Sequence, residues 1–284
     1  MGRAALAPTA FALGCLGREV LSRVTPTDEC AGGTLNKRPS SESVEAWQKF
    51  LEDVRKAEDE LDRPEVIWYR GHSDASWSVL PGILRQPDWE NFEQQAFHAF
   101  QRSATRLFDR RLSDWEILFD MQHYGMPTRL VDWSEALGVA VAFILFTPTP
   151  KICDAAVFVL DPLGLNEYSG QYEIKNLPSG DQFDYKAIYW NRQPFAANTP
   201  IAVYPPLQSQ RLFAQRGTFT IHGTKKHGLE VQCPDVVRKV VLPQIAMEAA
   251  REFLRQASLD EYAIYPDIVG IAKYLRRLIF EAGA

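Results

Sequence analysis

A single mixed α+β domain, with a central antiparallel or mixed sheet flanked by helices, is the fold class that this sequence predicts. Three observations lead there. Helical periods and strand-like runs follow one another without the regular βαβ alternation of a doubly wound sheet. The 284 residues are 46% hydrophobic and 24% charged, the balance of a packed globular chain. Nothing between residues 43 and 280 reads as a linker, so one domain over 43–280 follows. Residues 1–40 hold Gly32-Gly33 and Pro39 and show no sustained period, and they read as a flexible extension.

The elements follow in order. Ser43 reads as an N-cap, with Trp47, Phe50, Leu51 and Val54 at helical spacing up to about Leu61. Val66 to Tyr69 is an apolar run suited to a buried strand that ends in Arg70-Gly71. A long helix is expected from about Trp89 to Arg110, with Phe92, Ala96, Ala99 and Phe100 facing inward. A second helix covers residues 115–124, and Gly125 follows as its C′ residue. A short strand or extended link spans residues 128–131. Ser134 is then expected to cap an apolar helix at 135–146. Four strands follow at 155–160, 201–204, 217–222 and 237–242, and helices at about 244–257 and 267–280 close the chain.

Composition excludes several classes. With 31 Lys and Arg against 36 Asp and Glu the net charge is −5, so the basic stripe that long nucleic acids require is missing. The longest apolar run, 136–146, falls far short of the ~20 residues that span a bilayer, so no membrane partner is expected. Cys15, Cys30, Cys153 and Cys233 form no CxxC pair and read as thiols of a reducing compartment, giving a cytoplasmic expectation. The alternative is lipoprotein-type export through the small apolar segment that ends at Cys15. His222 and His227 lack matching acids or cysteines, so no metal site is expected.

Four clusters carry polar chemistry. The first is Tyr69-Arg70-Gly71-His72, followed by Trp77 and Arg85. Arginine suits bidentate contact with phosphate or carboxylate, and Gly71 allows a turn or a close ligand approach. The bland alternative pairs Arg70 with a structural acid such as Asp74. The second cluster runs from Gln122 through His123, Tyr124, Thr128, Arg129, Asp132 and Trp133 to Ser134. Its bland alternative is an Arg129–Asp132 salt bridge, with His123 donating to a core carbonyl. The third, residues 208–219, brings Arg211 and Gln215 to a strand entry. The fourth is Tyr265-Pro266-Asp267, where Asp267 reads as a helix N-cap. No GxSxG, P-loop or strand-linked GxGxxG is present.

Taken in order, these blocks resemble the FRG domain, named for a Phe/Tyr-Arg-Gly motif that stands here as Tyr69-Arg70-Gly71. The family's later blocks look like residues 122–134, 211–219 and 265–275, so the resemblance covers about 45–277. It implies a bacterial or phage protein and carries no settled activity. A second resemblance, to Arg-Ser-Glu ADP-ribosyltransferases, implies that fold and a use for the site. Arg70 would hold NAD, and Thr128, or His123 with Tyr124, would line a nicotinamide pocket. Arg211 stands where those enzymes carry their catalytic Glu.

Three functions therefore stay open. One is an enzyme acting on NAD or another nucleotide, with His123, Asp132 and Glu173 as candidate catalytic groups. Tyr69, Arg70, Gly71, His72, Gln122, Tyr124, Thr128, Arg129, Trp133, Arg211 and Gln215 would bind the ligand. A bacterial toxin or defence effector would suit such chemistry. The second is a non-catalytic module for a nucleotide or small anionic ligand. The third is a structural or protein-interaction domain. The cofactor stays unassigned, with NAD as a possible substrate.

Overall fold

The computed structural model describes residues 38–107, 110–147, 152–178, 183–193, 197–207 and 209–281. The expected extension, with Cys15 and Cys30, lies almost wholly outside the described residues. The chain opens with α1 (Ser41–Asp59), and its cap is Ser40 rather than Ser43. Ser40 Oγ accepts from the Ser43 amide at 3.1 Å, while buried Ser43 accepts from the Ala249 amide through its own hydroxyl. Strand β1 (Trp68–His72) follows. Next come α2 (Trp89–Ala104), α3 (Asp114–His123), β2 (Leu130–Ser134) and α4 (Leu137–Phe146). A Ser113–Glu116 capping box starts α3, and Gly125, at φ +80°, stops it as expected.

The second half supplies β3 (Ala155–Leu160), α5 (Pro162–Glu167), β4 (Lys175–Asn176) and β5 (Ile201–Tyr204). It continues with α6 (Gln210–Ala214), β6 (Gly217–Ile221), α7 (Leu229–Gln232) and β7 (Val237–Leu242). Then come α8 (Met247–Gln256), α9 (Glu261–Ile264) and α10 (Ile268–Arg276), the last capped by Asp267 through the Gly270 amide. The strands form one seven-stranded mixed sheet in the order β4-β5-β6-β2-β1-β3-β7. Only the β4–β5 pair is parallel. The fold class is therefore the α+β arrangement that the sequence predicts.

Apolar side chains on one face of β1, β3 and β7 pack with α1, α4 and α8 around Phe50, Val141, Val157 and Leu242. A second cluster joins α3 to β2, β5 and β6 through Leu118, Phe119, Phe219 and Ile221. The opposite face of the sheet holds Trp68, Trp133, Phe158 and Leu229. Among the described residues no helix is long and apolar enough to cross a membrane.

Several sequence expectations change. Arg70 and Gly71 lie inside β1 rather than beyond its end, because pairing with β3 continues through His72↔Ala156. Gly71 makes no left-handed turn and is not held open for a ligand. A Cβ there would fall on the Ala140 carbonyl oxygen and 2.8 Å from Ile144 Cγ1, so the missing side chain is what lets α4 rest on β1. Ser134 ends β2 instead of capping a helix, and α4 starts three residues later. Its hydroxyl donates to the Gln215 carbonyl at 2.7 Å and accepts from the Ala136 amide. The inner face of α2 is Trp89, Glu93 and Phe97, whereas Phe92 and Ala99 are exposed. A charged Glu93 breaks the apolar pattern there, because it is paired inside the protein.

Candidate functional site at the seam between β1 and β2

The sheet is not uniformly knitted. β1 and β2 share a single registered pair, Tyr69↔Ser134, whereas β1–β3 and β2–β6 each carry five. Past that pair the two strands separate, and backbone groups there need other partners. Arg70 supplies one: its Nη1 donates to the Asp132 carbonyl at 2.6 Å. The same guanidinium lies 3.8 Å from Asp132 Oδ2, and its Nε donates to His72 Nε2 at 2.9 Å. An arginine side chain thus bridges a gap in the middle of the sheet.

Asp132 is the hub. Gln122, in the last turn of α3, donates from Nε2 to Asp132 Oδ2 at 2.7 Å. Thr128 donates to Gln122 Oε1 at 2.6 Å and accepts from the Leu130 amide at 3.0 Å, which fixes the amide's orientation. The Asp132 side chain nevertheless stays 49% exposed and that of Arg70 23% exposed. Burial pulls the Arg70 guanidinium below the ordinary arginine range, Asp132 opposes this, and Arg85 adds to it. An exposed carboxylate beside a mostly desolvated cation is a pair with room for a third, charged group.

The elements around Asp132 bring further groups. His123, the final residue of α3, titrates below the usual histidine range through burial and through Arg211, with Asp267 and Asp132 pulling the other way. Arg211, on the short helix α6, stacks over the Tyr265 ring at 4.7 Å. Burial raises the Tyr265 hydroxyl, and Arg211, Asp132 and Asp267 all act on it. His123 thus senses both Arg211 and Asp132, and Asp132 in turn pairs with Arg70. Tyr265 joins them. The sequence marked its segment only as a helix start, and no local pattern links residue 265 to residue 132.

His72 is buried and neutral. Its Nε2 accepts from Arg70, so Nδ1 carries the proton towards the Trp77 carbonyl at 3.3 Å. Burial first, then Arg70, Arg85 and Lys239, push its pKa down to about 3. It orients Arg70 rather than shuttling protons.

Residues 65–151 match the family model of the FRG domain. The chain carries an FRG domain. The matched segment holds β1, the loop after it, β2 and α4, and so both Arg70 and Asp132. The blocks around Arg211 and Tyr265 lie beyond it, so the expected span of about 45–277 is wider than the match. Neither a curated protein nor a solved structure matches the chain.

The remaining predicted residues of the FRG domain chain fall elsewhere. Arg129 is 2% exposed and enclosed. Its Nε and Nη2 hold Glu93, the latter at 2.6 Å, and its Nη1 donates to the Gly223 carbonyl at 2.9 Å and more weakly to that of His222. The expected Arg129–Asp132 bridge is therefore replaced by Arg129–Glu93. Arg70 likewise pairs with Asp132 rather than Asp74, which binds the Ser76 amide and hydroxyl. Trp133 is buried and donates to Thr220 Oγ1 at 3.0 Å. Gln215 is buried and donates to the Ile264 carbonyl at 3.0 Å. Tyr69 points to α1, where its hydroxyl donates to Glu58 at 2.7 Å. Tyr124 is 72% exposed, with its ring edge-on to His123.

Glu173 sits just before β4 at the edge of the sheet, with Lys175 as its partner at 2.9 Å. Three strand spacings separate β4 from β2, about 14 Å at ~4.8 Å each, so Glu173 is not placed to serve as the site's carboxylate. Among the described residues, no group of three or more His, Cys, Asp and Glu side chains gathers as metal ligands do.

Proposed function

We propose that the FRG domain binds a nucleotide-type anion at the β1–β2 seam and acts on its N-glycosidic bond, with NAD as the substrate to test first. The single observation that supports this reading is the Arg70–Asp132 pair: a desolvated guanidinium beside a half-exposed carboxylate, at the gap between β1 and β2. Loss of nicotinamide builds positive charge on the ribose, and a carboxylate held without reorganisation stabilises that charge. Asp132 is held in that way by Gln122. Arg70 would take a phosphate or hydroxyl oxygen with its outer nitrogens, and Arg211 would add a cation at the rim.

The test is nicotinamide release from NAD, followed chromatographically. Wild type is expected to turn over, and Asp132→Asn to slow it about 10²-fold or more. The half-exposed position predicts that this variant melts like wild type. Equal release by wild type and Asp132→Asn refutes the catalytic role. One observation favours a second reading, a binding module without turnover: Arg211, not a glutamate, approaches His123 and Tyr265. That reading predicts no nicotinamide release, together with about 2.7 kcal/mol of ligand stabilisation at a hundredfold excess over Kd.

A further inference from the structure

The face of β1 that carries Arg70 continues across two more strands as an alternation of cation and ring. Arg70 pairs in register with Phe158 of β3, and Phe158 with Lys239 of β7, so the three form one row on one face. Phe158 is fully buried, and Lys239 Nζ stands over its ring at 5.7 Å. His72 lies edge-on to the same ring at 5.0 Å. The loop after β1 folds back beside this row. It holds Arg85 in place, since Nε and Nη2 of Arg85 donate to the Leu80 carbonyl at 3.1 and 2.8 Å. It also accepts a hydrogen bond from Lys239 through the Ala75 carbonyl.

Both cations therefore rest on neutral backbone oxygens. Among the described residues neither Arg85 nor Lys239 has a carboxylate partner. Trp77 presents a 41% exposed indole on that loop, 6.2 Å from the His72 ring. The field of the three cations reaches the buried His72 and helps keep it neutral, with no acid acting against them there. Arg85 and Lys239, fixed on backbone oxygens, with Arg70 on the same face of the sheet and an exposed ring beside them, match a diphosphate that carries an aromatic base.

We propose that Arg70, Arg85 and Lys239 form a diphosphate subsite and that Trp77 stacks the base of the nucleotide it belongs to. This deepens the nucleotide reading of the seam and rests on it for the ligand class, but it needs no chemistry at Asp132. The test is titration calorimetry of the full chain at low salt, with inorganic pyrophosphate and with ADP as probes. Pyrophosphate is expected to bind with an affinity that falls as salt rises. The exposed pair change Arg85→Gln with Lys239→Gln should weaken it about tenfold or more. ADP should bind more tightly than pyrophosphate, and Trp77→Ala should abolish that difference. Nicotinamide release is read separately, so a wild-type chain that binds pyrophosphate but releases no nicotinamide supports the subsite and refutes only the catalytic reading. No pyrophosphate binding, or equal binding by wild type and the double variant, overturns the subsite. Equal affinity for ADP and pyrophosphate overturns the nucleotide assignment.

Discussion

Removing the Glu93 carboxylate should destabilise the protein more than any change at its surface. Arg129 is 2% exposed and held on both edges, by Glu93 on one side and the His222 and Gly223 carbonyls on the other. Its guanidinium lies 4.7 Å from the Trp89 ring and 5.4 Å from that of Tyr189. Tyr185 donates to Glu93 at 2.9 Å, so the carboxylate is satisfied too. Glu93→Ala leaves that arginine charged, buried and half-bonded, because a guanidinium does not shed its proton. A buried pair broken from one side costs about 3–5 kcal/mol. At about 2–4 °C per kcal/mol for a chain of this size, the melting temperature should fall by about 6–20 °C. Urea unfolding monitored by tryptophan fluorescence should give a lower midpoint at an unchanged slope. Glu93→Leu combined with Arg129→Met should recover much of the loss, since no charge then remains buried. A loss below about 1 kcal/mol for Glu93→Ala would refute the structural role of this pair. It would return Arg129 to the ligand-binding set.

Two further outcomes follow from burial. Gly71→Ala should cost about 1–3 kcal/mol, as overpacking does, because its Cβ meets α4 backbone; circular dichroism melts will show it, and a neutral result would mean that α4 is not seated on β1. His72 and His222 both have pKa values pushed down to about 3 by burial and neighbouring arginines, from an unfolded value near 6.5. Between those limits the unfolded chain binds more protons, so stability rises with pH across the window, is complete above about 6.5 and is lost as pH falls towards 3. Each histidine adds up to ~1.4 kcal/mol per pH unit, and His72→Gln should therefore flatten the slope in denaturant titrations. An unchanged slope would show that these histidines do not carry the acid sensitivity.

The strands were legible because they are short apolar runs bounded by breakers, and β3, β5 and β7 fall where the pattern puts them. The helices were less so where polar residues are buried. Glu93 sits on the inward face of α2 only because Arg129 waits there, 36 residues along the chain. A one-dimensional period scores such a residue as outward and shifts the whole face towards Phe92. The motif in β1 misled for a related reason. Arg-Gly reads as a strand end when a charged residue is expected to seek solvent, but Arg70 has a carbonyl to bond in the gap beside β2, and Gly71 has a helix to receive. Both residues stay inside the strand.

The site was legible as a set of residue types and not as a geometry. Arg70, Gln122, His123, Asp132 and Arg211 were singled out as polar groups dense in chemistry, and only the packing of β1 and α3 beside β2 puts Arg70 and Gln122 on the Asp132 carboxylate, with His123 and Tyr265 sensing its charge. Arg129 and Trp133 belong to the same dense block yet turn inward, because alternate residues of a strand face opposite ways and β2 is covered on both sides. Lys239 lay outside every motif, and only the register Arg70↔Phe158↔Lys239 brings it alongside the first cluster. That division bears on the chemistry. The carboxylate that would stabilise a cationic transition state lies at the weakly paired β1–β2 seam, whereas the cations that would hold phosphate come from β1, the loop after it and β7, and Arg70 belongs to both sets. The half-exposed Asp132 side chain leaves a carboxylate edge open beside the Arg70 guanidinium, and the proposed ligand would use that edge.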